Sequence, residues 1–247
     1  MPTLRRFGIN DLELIEALFG QLSGSPFFIK DRSLRYVAAN PAMAALCGVT
    51  RPSDLYGRHV GEFFPAELAP SYEALDREVI SAGRSITDVL HRSVEAGAGH
   101  AWLLFARVPV RDADGGCIGV AGTSRRLRPG LVGEASYERL HQVTQQLRSA
   151  FDQPLRLAEL AQEAGTSPSQ LERDFRRIFA VSPRGFLHRI RMQEARRLLE
   201  DSDATISAIA QECGYADQSA FTRRFAAEMG VTPTQYRRQI PPGEPAA

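Results

Sequence analysis

Lysine is all but missing from this chain: Lys30 is the only one, and every other cation among its 30 basic residues is arginine. Gene composition accounts for such a bias, although arginine is also the better side chain for bidentate contacts to guanine and phosphate. Cysteine is scarce too. Cys47, Cys117 and Cys213 are scattered, odd in number and without CxxC spacing, which argues against a disulfide framework or a zinc site and leaves three small core residues. Neither charge is in excess: 30 basic against 29 acidic residues give a formal net charge of +1. Affinity for a polyanion must therefore come from local arrangement, not from bulk charge. Long apolar runs are absent as well. No stretch reaches the roughly 20 residues that span a bilayer, and the N-terminus carries acids early with no apolar core of a secretion signal. The expectation is a cytoplasmic protein without membrane attachment.

The chain has 247 residues, enough for two domains of ordinary size, and 43% hydrophobic against 24% charged residues let both build a core and stay soluble. Residues 11–22 place Leu12, Leu14, Ile15, Leu18, Phe19 and Leu22 at helical spacing, so 1–25 read as a flanking helix. PFFIK (26–30) and LRYVAA (34–39) read as strands around a DRS turn. Asn40-Pro41 supplies an N-cap and a proline suited to the first helical position. Short helices follow, then a longer one from Pro65 to Ala82 ended by Gly83. Residues 85–94, 100–110 and 117–125 are strand-like, with DADGG (112–116) as a hairpin turn. Residues 26–126 are thus predicted to be an α+β domain. Residues 127–139 form a linker, 140–240 an all-α domain, and 241–247 a disordered tail.

The helical half repeats itself. LAELAQEAGTSPSQLERDFRRIFAVSPRGFLHR (157–189) aligns with ISAIAQECGYADQSAFTRRFAAEMGVTPTQYRR (206–238). Each copy reads as helix, glycine-containing turn, helix. Ala161 and Ala210 must be small where two helices cross, and Gly165 and Gly214 allow a turn with positive φ. In the second helix of each copy, Leu171, Phe175 and Ile178, like Phe221 and Phe225, face the core. The opposite face carries Ser169, Gln170, Arg173, Arg176 and Arg177 in one copy and Gln218, Ser219, Thr222, Arg223 and Arg224 in the other. Those side chains suit base edges and phosphates. Residues 183–201 form one helix between the copies, about 25 Å of rod that could hold two recognition helices about one DNA turn apart.

Residues 140–238 resemble the DNA-binding domain of the AraC/XylS family of regulators. Ile209-Ala210, Gly214-Tyr215, Ser219, Phe221, Arg223, Phe225, Gly230, Thr232-Pro233 and Tyr236-Arg237 fall at the spacing of that family's second motif. The resemblance implies base contacts from Ser169, Gln170 and Arg173 and from Gln218, Ser219, Thr222 and Arg223. Arg176, Arg177, Arg224, Arg237 and Arg238 would hold phosphates or face water. Glu172, Asp174 and Asp217 dilute the local charge, so tight binding would need two subunits. Expected partners are operator DNA, RNA polymerase and a second copy of the chain.

Residues 26–126 resemble a PAS domain. The resemblance is carried by PFFIKD (26–31), LRYVAANPAMAALCG (34–48), LYGRHVGEFFP (55–65), ISAGRSI (80–86) and the two closing strands to Leu127. It implies a five-stranded antiparallel sheet packed on short helices, often around a ligand. No cofactor is identifiable: the flavin motif Asn-Cys-Arg-Phe-Leu-Gln is missing, and His59 reads as a loop histidine, not a haem ligand. Phe28, Tyr36, Phe63, His91 and Trp102 are the candidate lining of a pocket for an unknown small molecule, with plain core packing the commoner role for each. The alternative is a PAS half that serves only protein–protein contact. An enzymatic reading finds no support, because a methyl-accepting DNA-repair protein would need a Pro-Cys-His-Arg nucleophile, and no phosphate loop, kinase motif or catalytic triad occurs.

Overall fold

The computed structural model describes residue 18 and residues 24–95, 99–112, 115–128 and 130–239. The predicted helix at 11–22, apart from Leu18, the tip of the turn at 112–116 and the tail at 241–247 lie outside the described residues. The chain divides into two compact units, Met1–Arg128 and Pro129–Ala247.

The first unit is an antiparallel sheet of β1 (Phe27–Asp31), β2 (Tyr36–Ala39), β3 (Ile86–Glu95), β4 (Gly99–Arg111) and β5 (Cys117–Arg126), in the order β2-β1-β5-β4-β3. The first and last strands therefore meet in the middle, with Phe28 opposite Gly122 and Lys30 opposite Val120. Strand alternation divides the side chains between two faces. Phe28, Tyr36, Leu103, Phe105 and Val120 point to the main core, where α1 (Pro41–Leu46), α2 (Ala69–Ala82) and single turns at Pro52–Leu55 and Val60–Glu62 contribute Met43, Leu55, Val60, Tyr72 and Val79. Phe27, Ile29 and Ala38 form a smaller cluster on the other face.

Asn40 starts α1 as the sequence predicts. Its side-chain oxygen accepts from the Met43 N–H at 3.0 Å and also from the Phe27 N–H at 2.9 Å, which ties the helix start to β1. The long helix begins at Ala69 instead of Pro65. Proline is tolerated only in a first helical turn, so Pro70 sets the start just ahead of itself, and Pro65–Leu68 forms a separate turn closed by the Leu68 N–H on the Pro65 carbonyl. Gly83 ends α2 in the left-handed region, at φ 61.

The second unit is helical: α3 (Glu134–Ser149), α4 (Leu157–Glu163), α5 (Pro168–Phe179), α6 (Pro183–Asp201), α7 (Ile206–Glu212), α8 (Gln218–Met229) and α9 (Pro233–Gln239). α3 begins inside the stretch 127–139 that the sequence reading assigns to linker. Tyr137, Leu140, Val143 and Leu147 are spaced to form one buried stripe, which carries the helix back to Glu134. α3 packs on α5 and α6, while α6 also packs on α7 and α9. Phe175, Phe179 and Phe186 form a ring cluster with centroids 4.9–5.6 Å apart on one flank of α6. Met192, Ala195, Leu198 and Leu199 meet Ile209, Ala210, Phe221 and Phe225 on the other.

The two glycine turns share one geometry. The Thr166 and Tyr215 N–H groups donate to the Ala161 and Ala210 carbonyls at 2.9 Å, and the Gly165 and Gly214 N–H groups to Gln162 and Gln211. That is the Schellman ending, which needs a left-handed residue, and Gly165 and Gly214 supply it at φ 63 and 71. Their surroundings differ. A Cβ at Gly165 would meet nothing within 4 Å, whereas one at Gly214 would lie 2.3 Å from the Asp152 carbonyl oxygen and 2.7 Å from Arg191 Nη2. Gly165→Ala is therefore expected to cost about 1 kcal/mol, the left-handed penalty alone. Gly214→Ala is expected to cost more than about 3 kcal/mol, because backbone must also move. Denaturation followed by helical circular dichroism checks the order of the two variants.

Candidate nucleic-acid interface and sensor cavity

In each copy a short helix, α4 or α7, is followed by a turn and a longer helix, α5 or α8. The longer helices are capped by their own sequence. Ser167 accepts from the Gln170 N–H at 3.2 Å and Asp217 from the Ala220 N–H at 2.7 Å. The apolar stripe of each helix is anchored in the core: Leu171, Phe175 and Ile178 are buried in α5, Phe221 and Phe225 in α8. The opposite faces are thereby left to solvent. Ser169, Arg173, Arg176 and Arg177 are exposed and Gln170 half-exposed on α5; Gln218, Ser219, Arg223 and Arg224 are exposed and Thr222 half-exposed on α8. Arg173 and Arg223 each stand six residues after the capping side chain.

The two faces differ in how their polar groups are held. On α5, Arg173 Nη1 donates to Gln170 Oε1 at 3.1 Å, and Gln170 Nε2 donates at 2.8 Å to Asp174 Oδ1, whose residue is buried. That chain orients Arg173 before any partner arrives. Arg176 lies 3.7 Å from Glu172, and Arg177 Nη1 donates to the Leu131 carbonyl at 3.3 Å. Ser169, Glu172, Arg173, Arg176 and Arg177 together line one shallow surface depression. On α8, by contrast, Arg223 makes no hydrogen bond or ion pair with the described residues and is free to reach a partner.

Arg237 sits elsewhere. Its Nε donates to the Leu199 carbonyl at 3.4 Å, so it holds α9 against the end of α6 while half-buried. Its neighbour Tyr236 packs on Phe225 and donates its hydroxyl to Glu200 at 2.6 Å. The structure thus gives Arg237 an internal contact through Nε, beside the phosphate contact expected of it, and half-buried Tyr236 packs at the same helix end.

Sequence reasoning missed a basic cleft beside α6. Arg184, His188 and Arg191 line it with Tyr215 and Arg224. His188 Nδ1 is 3.1 Å from the Tyr215 hydroxyl and its Nε2 is 2.7 Å from Glu228, while Arg191 donates to the Phe151 and Gln153 carbonyls. The i, i+4, i+7 spacing of Arg184, His188 and Arg191 was the available signal.

The sheet unit holds a half-open cavity of about 30 Å³. Phe28 and Tyr36 line it as predicted. Phe63 does not: the adjacent Phe64 takes that place, and Phe63 packs edge-on to Tyr36 from outside, with the Arg58 guanidinium over its ring. His91 stacks on Phe105 and faces Ser71 Oγ at 3.3 Å, beyond the lining. Trp102 belongs to the opposite face of β4 from Leu103 and Phe105, since one residue of strand reverses the side.

The polar wall was not anticipated. Lys30 Nζ and Arg107 Nε donate to the two oxygens of Asp76 at 2.6 and 2.9 Å, joining β1 and β4 to α2. All three residues are buried. Lys30 lies 4.8 Å from the Phe28 and Tyr36 ring centres, and Arg107 lies over Phe28 and Phe105. Burial pulls the Lys30 ammonium below its ordinary pKa, against the raising effect of Asp76. Gly122 makes the packing possible: a Cβ there would be 2.5 Å from Phe28 and 2.8 Å from Arg107.

Comparison with known proteins finds a match in each half. Residues 160–239 match the family model of a helix-turn-helix domain and residues 21–128 that of a PAS fold. The HTH-type transcriptional regulator Rv1931c of Mycobacterium tuberculosis is 39% identical over 83 residues, which are 34% of this chain and 32% of that protein. CdhR of Pseudomonas aeruginosa, another HTH-type transcriptional regulator, is 32% identical over 45% of this chain and 33% of its own length. The chain thus spans about a third of the length of the curated relatives it matches. Among solved structures, the C-terminal domain of AraT, a response regulator from Geobacillus stearothermophilus, is 32% identical over 44% of this chain and 91% of that one, with a TM-score of 0.42.

Removing the single carboxylate of the buried triad tests its weight in the sheet unit. Asp76→Asn leaves two buried cations without a counter-charge and is expected to cost about 3–5 kcal/mol. Trp102, the only tryptophan, is buried in this unit, so its fluorescence during urea unfolding reports the loss.

Proposed function

We propose that this chain, in which an AraC-type helix-turn-helix domain is joined to a PAS domain, is a transcription regulator that reads operator DNA through α5 and α8 under the control of its PAS half. The observation that carries the reading is the pair of capped helices with anchored apolar stripes and outward polar faces, each with an arginine six residues past its cap. Arg173 and Arg223 suit guanine edges in two major-groove segments, with Ser169, Gln170, Gln218, Ser219 and Thr222 beside them. Arg176, Arg177 and Arg224 suit flanking phosphates. The relatives named as transcriptional regulators support this reading.

The chemistry required is binding, not catalysis. Operator recognition would take place in the cytoplasm, and among the described residues no helix is long and apolar enough to cross a membrane. Near-neutral charge favours a dimer, because one subunit neutralises few phosphates. RNA polymerase would be met at the promoter. The PAS half senses a small molecule in its cavity; the other reading, a PAS half limited to protein contact, lacks a use for the cavity's buried charge.

Gel-shift titration with DNA from upstream of the chain's own gene and its neighbours tests the reading. Specific retention over scrambled DNA is expected, weakening as salt rises. Arg173→Ala and Arg223→Ala should each weaken specific binding by about 1–3 kcal/mol with circular dichroism unchanged. Wild-type affinity in both variants would refute the assigned roles.

A further inference from the structure

The buried triad of the PAS cavity holds two cations and one carboxylate. Among the residues lining the cavity, no acidic side chain supplies the missing negative charge. Tyr36 and Cys47 are the nearby acids that could, and neither does at neutral pH: burial drives the Tyr36 hydroxyl far above its ordinary pKa and the Cys47 thiol up to about 12. Lys30 makes one side-chain hydrogen bond, to Asp76, and among the described residues its ammonium otherwise meets only the Phe28 and Tyr36 rings, so two of its three N–H donors lack an oxygen partner. Arg107 commits Nε to Asp76 and Nη1 to the Ala106 and Thr123 carbonyls, leaving Nη2. Ser124 adds a hydroxyl to the same wall, and so does Ser93, which already pairs with the Tyr72 hydroxyl at 2.9 Å. Facing them are Phe64, Leu46 and Met43, an apolar wall in which the unbranched methionine can shift to enlarge the space. A volume of about 30 Å³ exceeds the ~10–15 Å³ that one water needs, so a carboxylate headgroup alone would fill it and an apolar body requires Met43 and Leu46 to give way.

We propose that this cavity is the binding site of a small organic carboxylate. Its anionic group pairs with Lys30 and Arg107, and its apolar body lies against Phe64, Leu46 and Met43. The inference rests on the reading of the PAS half as a small-molecule sensor and adds the chemical class of the ligand. Binding would neutralise the excess buried charge and bridge β1 and β4, the strands that hold the two cations. It would also favour the charged form of Lys30, reversing part of the cost of its burial.

The single lysine makes the test direct. Full-length protein labelled with 15N only at lysine Nζ carries one side-chain signal, that of Lys30. Benzoate and butyrate are titrated against their neutral isosteres benzamide and butyramide, with calorimetry giving the affinities. The acids are expected to shift the Lys30 signal and to bind at least tenfold more tightly than the amides. Lys30→Met and Arg107→Met are expected to lose that preference; the acid–amide comparison on the wild-type chain stands even if either variant fails to fold. Amides binding as well as the acids would overturn the anionic class and leave the sensor reading intact. No heat and no signal shift with any of the four compounds would overturn the sensor reading and the class together.

Discussion

The second unit depends on α6 being shared. A 19-residue helix is roughly 28 Å long, and it forms a wall of both helix-turn-helix copies at once. Phe186 near its start enters the ring cluster of Phe175 and Phe179, while Leu198 and Leu199 near its end enter the core that holds Phe221 and Phe225. Deleting one such buried ring typically costs about 3–5 kcal/mol. α5 and α8 are therefore fixed to one rod, and their polar faces form one object, not two tethered ones.

That constraint assigns different work to residues that look alike in sequence. Arg173 and Arg223 project from anchored helices and remain available, whereas Arg191 donates to two backbone carbonyls beside α6 and Arg237 donates its Nε to one. The copies differ in preparation. Gln170 and Asp174 hold Arg173 in place beforehand, so α5 loses less side-chain freedom on contact. Arg223 carries no such brace, and its ordering would be completed by the DNA itself.

Much of this architecture was legible in the sequence because the signals are local. Alternation marked the strands, Asn40-Pro41 marked a helix start, and the repeated glycine, Ser/Thr-Pro and phenylalanine positions marked the two motifs. The start of α2 was misplaced by four residues because Pro65 and Pro70 are both compatible with a first turn, and only tertiary packing chooses. Phe63 and Phe64 could not be distinguished for the same reason, and Trp102 was assigned to the cavity although strand parity turns it away. The Lys30–Asp76–Arg107 triad had no local signal at all. Its partners are 46 and 31 residues apart along the chain and meet only when β1 and β4 close over α2.

Both recognition helices on one rod should touch one face of the same duplex, so the most direct measurement is guanine methylation protection on the operator. Wild-type protein is expected to protect two clusters about 10 base pairs apart, with Arg173→Ala erasing one cluster and Arg223→Ala the other. Protection of a single cluster, or loss of both from either substitution while binding persists, would contradict reading by α5 and α8 as a rigid pair.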